Sequence, residues 1–325
     1  MTNRLRAELD RRLAEATGRL SSAGFTLGWR ALRAVPEPAA AWLFDRGADL
    51  AGRRDGESVK QLKANLDRVT GRVLPAAELD ALVGRALRSY ARYWRETFRL
   101  PSMDIESTLA RAQMDGWQHV QDAVDAGRGV VLALPHSGNW DVAGLWLVQH
   151  GYPFSTVAER LRPESLFDQF VAYREGLGMR VIPLTGGDRP PMQVLAERLR
   201  AGEVVCLVAD RDLSRQGVGV DFFGEPTRMP AGPALLAATT GAALLPVHLH
   251  FAGDGWGQWV GPPVALGEGR LRDRVQRATQ ALADVFAERI ALHPADWHML
   301  QPLWLADLDP DRLQASEPVA DLPMR

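Results

Sequence analysis

The sequence predicts an α/β fold: a central, mostly parallel β-sheet flanked by helices, preceded by a helical N-terminal region. Three observations carry that reading. Between about residues 105 and 305, short β-rich runs alternate with helical stretches, the pattern of parallel strands joined by helical crossovers. Before residue 100, apolar side chains recur at helical spacing, and Pro36, Pro38, the 53–56 run and Pro75 mark the breaks. The chain has 325 residues, 46% of them apolar and 24% charged, which suits a large buried core and excludes a disordered chain.

Taken in order, helices are expected over 3–20, 25–35, 38–53, 58–69 and 76–98. Strands then follow at 129–134, 155–158, 180–183, 204–209, 244–251 and 256–260. Between and after them, helical patterns cover 139–149, 163–176, 190–201, 231–240 and 271–292. The resulting organisation is a helical, basic, membrane-facing region (1–104), an α/β core (105–306) and a loosely ordered, polar tail (307–325), within one structural domain overall.

Charge narrows the function classes. The formal net charge is −2, so no global field attracts nucleic acid. The first hundred residues nevertheless hold 19 basic against 12 acidic side chains, and the rest 19 against 28. A basic first third points to an anionic surface as partner. The lone cysteine, Cys206, has no internal disulfide partner and fits a reducing compartment.

The N-terminus has no uninterrupted apolar core and carries acids, which argues against a secretory signal. The longest charge-free run, 229–253, contains Pro230, Pro233, Gly241 and Pro246 as well as two histidines, so a turn, a buried helix and a strand explain it better than a membrane span. The protein is expected to be soluble or peripheral. In the first helix Leu5, Leu9, Leu13, Ala16 and Leu20 share a face while arginines occupy much of the rest. That pattern fits a helix lying in a membrane interface and equally one packed on the protein body. Trp29 and Trp42 are open to the same two readings.

The stretch that carries chemistry is 129–148, GVVLALPHSGNWDVAGLWLV. A buried strand runs through Pro135 into His136-Ser137-Gly138-Asn139-Trp140-Asp141 and then an apolar helix. Active sites of α/β sheets collect where a strand's carboxyl end feeds a helix. With Gly138 bending the turn, Asp141 is expected to bond one imidazole nitrogen of His136 and leave the other free as a base. The plainer alternative is that His136 and Asn139 cap the helix and Asp141 complements its dipole.

This turn resembles the H-x4-D motif of glycerolipid and lipid A acyltransferases. The likeness extends through ARYWRETFRLPSM (91–103), TVAERLRPESLF (156–167), YREGLGMRVIPLTGG (173–187), the 220–248 stretch beginning VDFFGEPTRMPAG, and PADWHMLQPLW (294–304). Together these resemble the actinobacterial phosphatidylinositol mannoside acyltransferases over nearly the whole chain. The resemblance implies a peripheral enzyme at the cytoplasmic face of the plasma membrane. It would move a long acyl group, typically palmitoyl, from acyl-CoA as co-substrate to a mannose hydroxyl of phosphatidylinositol mannoside, without a bound cofactor or metal.

Carried over by position, the resemblance makes His136 the general base and Asp141 its partner, with Glu159 and Arg174 near the acceptor. It also implies an acid, usually glutamate, after the strand VVCLVA; here Asp210 stands there, one methylene shorter. Ser137, Gly138 and Asn139 are substrate-binding candidates, the last two through backbone N–H groups facing a developing oxyanion. Arg228 lies where related enzymes contact phosphate. Arg174 has a planar fork suited to phosphate, or forms a surface ion pair with Glu175 or Asp168. Glu159 bonds an acceptor hydroxyl, or pairs with Arg160 or Arg162. Phe222, Phe223 and Trp140 are candidates to line an acyl groove, or simply belong to the core.

The chemistry is consistent with this. A sugar hydroxyl is a weak nucleophile, and a neutral imidazole, ordinarily titrating near about 6.5, can take its proton at neutral pH. Two other readings compete. Asp210-Arg211-Asp212 after a buried strand resembles the metal-dependent nucleotide-sugar site of glycosyltransferases. A non-catalytic lipid-binding protein would keep the fold alone. A serine hydrolase and a P-loop lack their motifs, His248 and His250 share a strand face without a cysteine or third histidine at zinc-ligand spacing, and His293 and His298 read as structural.

Overall fold

The computed structural model describes residues 28–29, 31–160, 164–212 and 217–308. The expected helix over 3–20, the start of that over 25–35 and nearly all of the tail lie outside the described residues.

A helical layer comes first: α1 (Glu37–Arg54), α2 (Glu57–Val69) and α3 (Ala76–Arg99). Proline precedes α1 and α3, where its fixed φ and missing N–H suit a helix start. Leu62 and Leu66 of α2 bury against Leu79, Leu82, Val83 and Ala86 of α3. Each fully buried leucine contributes about 1.5–3 kcal/mol. The layer is tied to the C-terminal part of the chain: Asn65 Nδ2 donates to the Met299 carbonyl at 2.8 Å, and Arg68 is ion-paired with Asp307 and Glu225.

The core alternates strand and helix. In order it contains α4 (Ile105–Ala110), β1 (Ala112–Asp115), α5 (Gln118–Asp125), β2 (Val130–Leu134), α6 (Trp140–Gln149) and β3 (Phe154–Ala158). There follow α7 (Glu164–Gly176), β4 (Arg180–Pro183), α8 (Pro191–Arg200) and β5 (Val204–Val208). The chain then forms β6 (Val218–Phe222), β7 (Glu225–Met229), α9 (Gly232–Thr240), β8 (Ala243–Ala252), β9 (Gly255–Val260) and α10 (Leu271–Leu292). Seven strands form one sheet in the order β1-β9-β8-β2-β5-β3-β4. All of its pairings are parallel except the β8–β9 hairpin.

The two-residue period of the central strands builds two cores. Val131 and Ala133 of β2 face α8, α9 and α10, while Val130, Leu132 and Leu134 face α5, α6 and α7. Every residue of β2 is buried, as a central parallel strand covered on both faces requires.

Each expected strand occurs within a residue or so of its predicted limits. Three strands were not expected. β1 is short and polar, and β6 and β7 form a separate antiparallel hairpin whose strands alternate exposed and buried residues without a strongly apolar run. The hairpin packs beside α10 instead of extending the sheet, with the Asp221 N–H bonded to Gln280 Oε1 at 2.9 Å.

Candidate active site

β2 and β5 are neighbours in parallel register, Leu134 opposite Val208. Their carboxyl ends therefore deliver the next residues to one edge of the sheet, His136 from β2 and Asp210 from β5. The imidazole Nδ1 of His136 lies 2.6 Å from Asp210 Oδ1, and the His136 main-chain N–H donates to Asp210 Oδ2 at 2.9 Å. The Trp297 indole N–H adds a second donor to Oδ2 at 2.8 Å.

Asp210 has no exposed surface, whereas the His136 side chain is 32% exposed. Burial works to raise the Asp210 pKa, but the neighbouring imidazole and these three donors outweigh it and hold the carboxyl below its ordinary value. With a carboxylate fixed on Nδ1, that nitrogen carries the proton and Nε2 becomes the acceptor. The shorter side chain of aspartate reaches the histidine.

Asp141 does something else. Its Oδ1 accepts from Arg174 Nε at 2.9 Å and its Oδ2 from Thr97 Oγ1 at 3.3 Å and Tyr93 Oη at 3.5 Å. The expected His136–Asp141 pairing is thus replaced by His136–Asp210, because the helix begins at Trp140 and turns Asp141 toward α3 and α7. Arg174 is correspondingly neither in a surface pair with Glu175 nor with Asp168. Burial alone would lower its pKa, but Asp141 holds it raised. Burial, with a smaller contribution from the same carboxylate, raises the phenols of Tyr93 and Tyr173 well above their ordinary value.

Ser137, Gly138 and Asn139 are buried and build the turn. Asn139 is the N-cap of α6, its Oδ1 accepting from the N–H groups of Asp141 and Val142 at 3.1 Å. Its Nδ2 donates to Glu96 Oε2 at 2.8 Å, which also accepts from the Trp256 indole. Gly138 has φ 56°, and a Cβ there would stand 2.7 Å from the Leu249 carbonyl carbon, so only glycine fits. Its N–H is bonded to the Asp296 carbonyl at 3.0 Å, which removes it as the expected oxyanion donor.

Glu159 is exposed just after β3, and Arg228 sits half-buried on β7. Neither is among the hydrogen-bond partners of the His136–Asp210 pair.

An apolar cavity opens between the sheet and α6. Leu132, Leu134, Val208 and Leu249 form its floor, Ala143 and Leu147 its roof, and Asp141 and Arg174 are the charged pair in its wall. Trp140 also lines it, and the Trp140 ring meets the His136 imidazole edge-on at 6.0 Å between centroids. Phe222 and Phe223 belong instead to the opposite core, beside Trp297 and Trp304.

The glycosyltransferase reading fares differently. Both Asp210 oxygens are claimed by donors, and Asp212 Oδ2 accepts from the Gly217 N–H at 2.7 Å, so the carboxylates are not presented as a cation-binding pair. His250 and His293 stack at 3.8 Å between centroids on the α10 side of the sheet.

Sequence reasoning missed the roles of Glu96, Asp296 and Trp297. The only signal for them lay in the stretches 91–103 and 294–304, which carried the family likeness without indicating a function.

Residues 18–306 match the family described as bacterial lipid A biosynthesis acyltransferase. A phosphatidylinositol mannoside acyltransferase from Mycolicibacterium smegmatis is 57% identical over 295 residues, covering 91% of this chain and 95% of that protein. One from Mycobacterium tuberculosis is 58% identical over 292 residues, covering 89% and 90%. A lipid A biosynthesis acyltransferase from Haemophilus influenzae is 25% identical over 142 residues, 43% of each chain.

Proposed function

The chain belongs to the bacterial lipid A biosynthesis acyltransferase family, and from that premise we propose that it acylates phosphatidylinositol mannoside. The acyl group is a long chain, palmitoyl, moved from acyl-CoA to a mannose hydroxyl. The substrate follows the names of the relatives that share more than half of its residues over about nine tenths of its length.

His136 is the general base. Its Nε2 removes the hydroxyl proton as the sugar oxygen attacks the thioester carbonyl carbon. The tetrahedral intermediate then collapses, the C–S bond breaks, and the imidazolium returns the proton to the departing CoA sulfur. Asp210 holds the ring and stabilises the imidazolium. Positioned general-base catalysis supplies about 10²–10⁴-fold. The step as written uses neither a metal nor a covalent enzyme intermediate. The observation that carries this reading is the His136–Asp210 pair at the sheet edge, with Trp140 shared between the imidazole and an apolar cavity suited to a fatty chain.

Arg174, whose Nε is committed to Asp141, and the exposed Glu159 are assigned to the acceptor side, with Arg228 on phosphate. Membrane docking is assigned to the first helices, at the cytoplasmic face. On α1, Trp42, Leu43 and Leu50 are 61%, 54% and 49% exposed, next to exposed Arg46, Arg53 and Arg54. Apolar side chains standing in a basic surface suit anionic lipid. Among the described residues no helix is long and apolar enough to cross a membrane.

The test is incubation with radiolabelled palmitoyl-CoA and purified phosphatidylinositol mannoside. Native protein should give labelled glycolipid, and His136→Ala, folded by circular dichroism, should lose transfer. Undiminished turnover by the variant would overturn the mechanism.

A further inference from the structure

The segment after α10 lies against the His136 turn as a short antiparallel partner. The Gly138 N–H bonds the Asp296 carbonyl at 3.0 Å, the His298 N–H bonds the His136 carbonyl at 2.7 Å, and Ser137 pairs with Trp297. Asp296 is itself anchored, its carboxylate accepting from Ser89 Oγ at 2.7 Å and from the Phe251 N–H at 2.9 Å. Trp297 is fully buried, packed edge-on to Phe222 and Trp304 at 6.1 Å, and its indole N–H ends on Asp210 Oδ2.

We propose that Trp297 is a positioning residue for the His136–Asp210 pair. Its indole N–H holds Oδ2 so that Oδ1 faces His136 Nδ1, which fixes the tautomer and leaves Nε2 as the base. A carboxylate without exposed surface depends on protein donors alone, and Asp210 receives three. One is the imidazole that has to be oriented, and another is the main-chain N–H of the same residue. The indole is the donor that comes from elsewhere in the chain and supplies an independent reference. Its loss leaves Oδ2 on the His136 N–H alone and its charge less well solvated, so the pair takes up a proton at higher pH, whichever member binds it.

The inference deepens the acyltransfer reading and rests on it for its kinetic arm only. The decisive variant places benzothienylalanine at 297, which keeps the bicyclic shape and replaces N–H by sulfur; Trp297→Phe is the second. The first readout is the pH titration of the His136 ring followed by nitrogen-15 NMR, which needs no substrate. The second is kcat and KM for palmitoyl transfer across pH. The other ionisable groups packed about the turn remain in both variants: Asp296 and His298 on the same segment, Glu96 from α3, Asp141 and Arg174 from α6 and α7, and Asp212 beyond β5.

In the benzothienyl variant the pair's titration should rise by about one pH unit, the size of one lost charge-assisted hydrogen bond. The acid limb of the rate profile should move with it, with kcat falling about tenfold and KM holding. A titration and a kcat equal to the native ones would overturn the proposal. A role in packing alone would lower the melting temperature in Trp297→Phe without moving either profile. A shifted titration in a protein that transfers no palmitoyl would overturn the reaction and leave the positioning role standing.

Discussion

Asp141 and Arg174 form an ion pair inside the wall of the apolar cavity, Oδ1 to Nε at 2.9 Å, with the Asp141 side chain 1% exposed. The motif aspartate therefore ties the first turn of α6 to α7 and sets the shape of the space beneath the helix.

Breaking that pair from one side should be costly. Asp141→Leu or Arg174→Met leaves a buried charge uncompensated, and either should lose about 3–5 kcal/mol of stability. Asp141→Leu combined with Arg174→Met should recover part of that loss, since no charge is then stranded. Urea midpoints of the four proteins complete the cycle.

Asp210, not Asp141, bonds the imidazole, so Asp210→Asn should reduce kcat by about 10²–10⁴ while the protein stays folded. Asp210→Glu adds a methylene where there is no exposed surface, which should cost about 1–3 kcal/mol by overpacking and displace the imidazole. Palmitoyl transfer and melting temperature, measured together, separate the two effects.

Acid should weaken the fold through buried histidines. Burial pushes His248 and His298 down to about 3, with nearby His250 adding to the effect at His248 and His136 at His298. The unfolded chain binds these protons near about 6.5, so between pH 6.5 and 3 the unfolded state holds more protons. Stability should thus fall as pH drops through that window, by up to about 1.4 kcal/mol per unit for each group. His248→Phe, which also removes an unpartnered buried Nε2, should flatten the dependence of the urea midpoint on pH.

The cavity should decide which chains are accepted. Ala143 stands in its roof, and Ala143→Phe should fill part of the space. Competition between acyl-CoA donors of different length should then shift toward the shorter ones, with His136 chemistry unchanged. Unaltered preference would place the acyl chain elsewhere.

The regular elements were legible because their signals are local. β2 reads as an uninterrupted apolar run, and α10 matches its predicted limits, 271–292, because its apolar positions recur at helical spacing. β1 gave no such signal, since a four-residue edge strand with the burial of AQMD shows neither a run nor a clean alternation. At the site, spacing drew attention to Asp141, five residues from His136. The partner that bonds the ring is 74 residues away and arrives through the adjacency of two parallel strands. The family likeness had marked Asp210, the Asp210-x-Asp212 spacing had marked it for a different chemistry, and Trp297 had no marker beyond the 294–304 stretch around it. Contacts made by sheet order and by a returning segment leave no periodic trace in the chain.

That returning segment has a consequence for how the protein is made. Trp297 follows Asp210 by 87 positions and comes after the whole of α10. Chains emerge from the ribosome N-terminal end first. The sheet edge bearing His136 and Asp210 can thus be laid down long before the residues that brace it, and a half-synthesised polypeptide exposes an unbraced centre. Competence would switch on late in biogenesis, once the body of the molecule is already assembled.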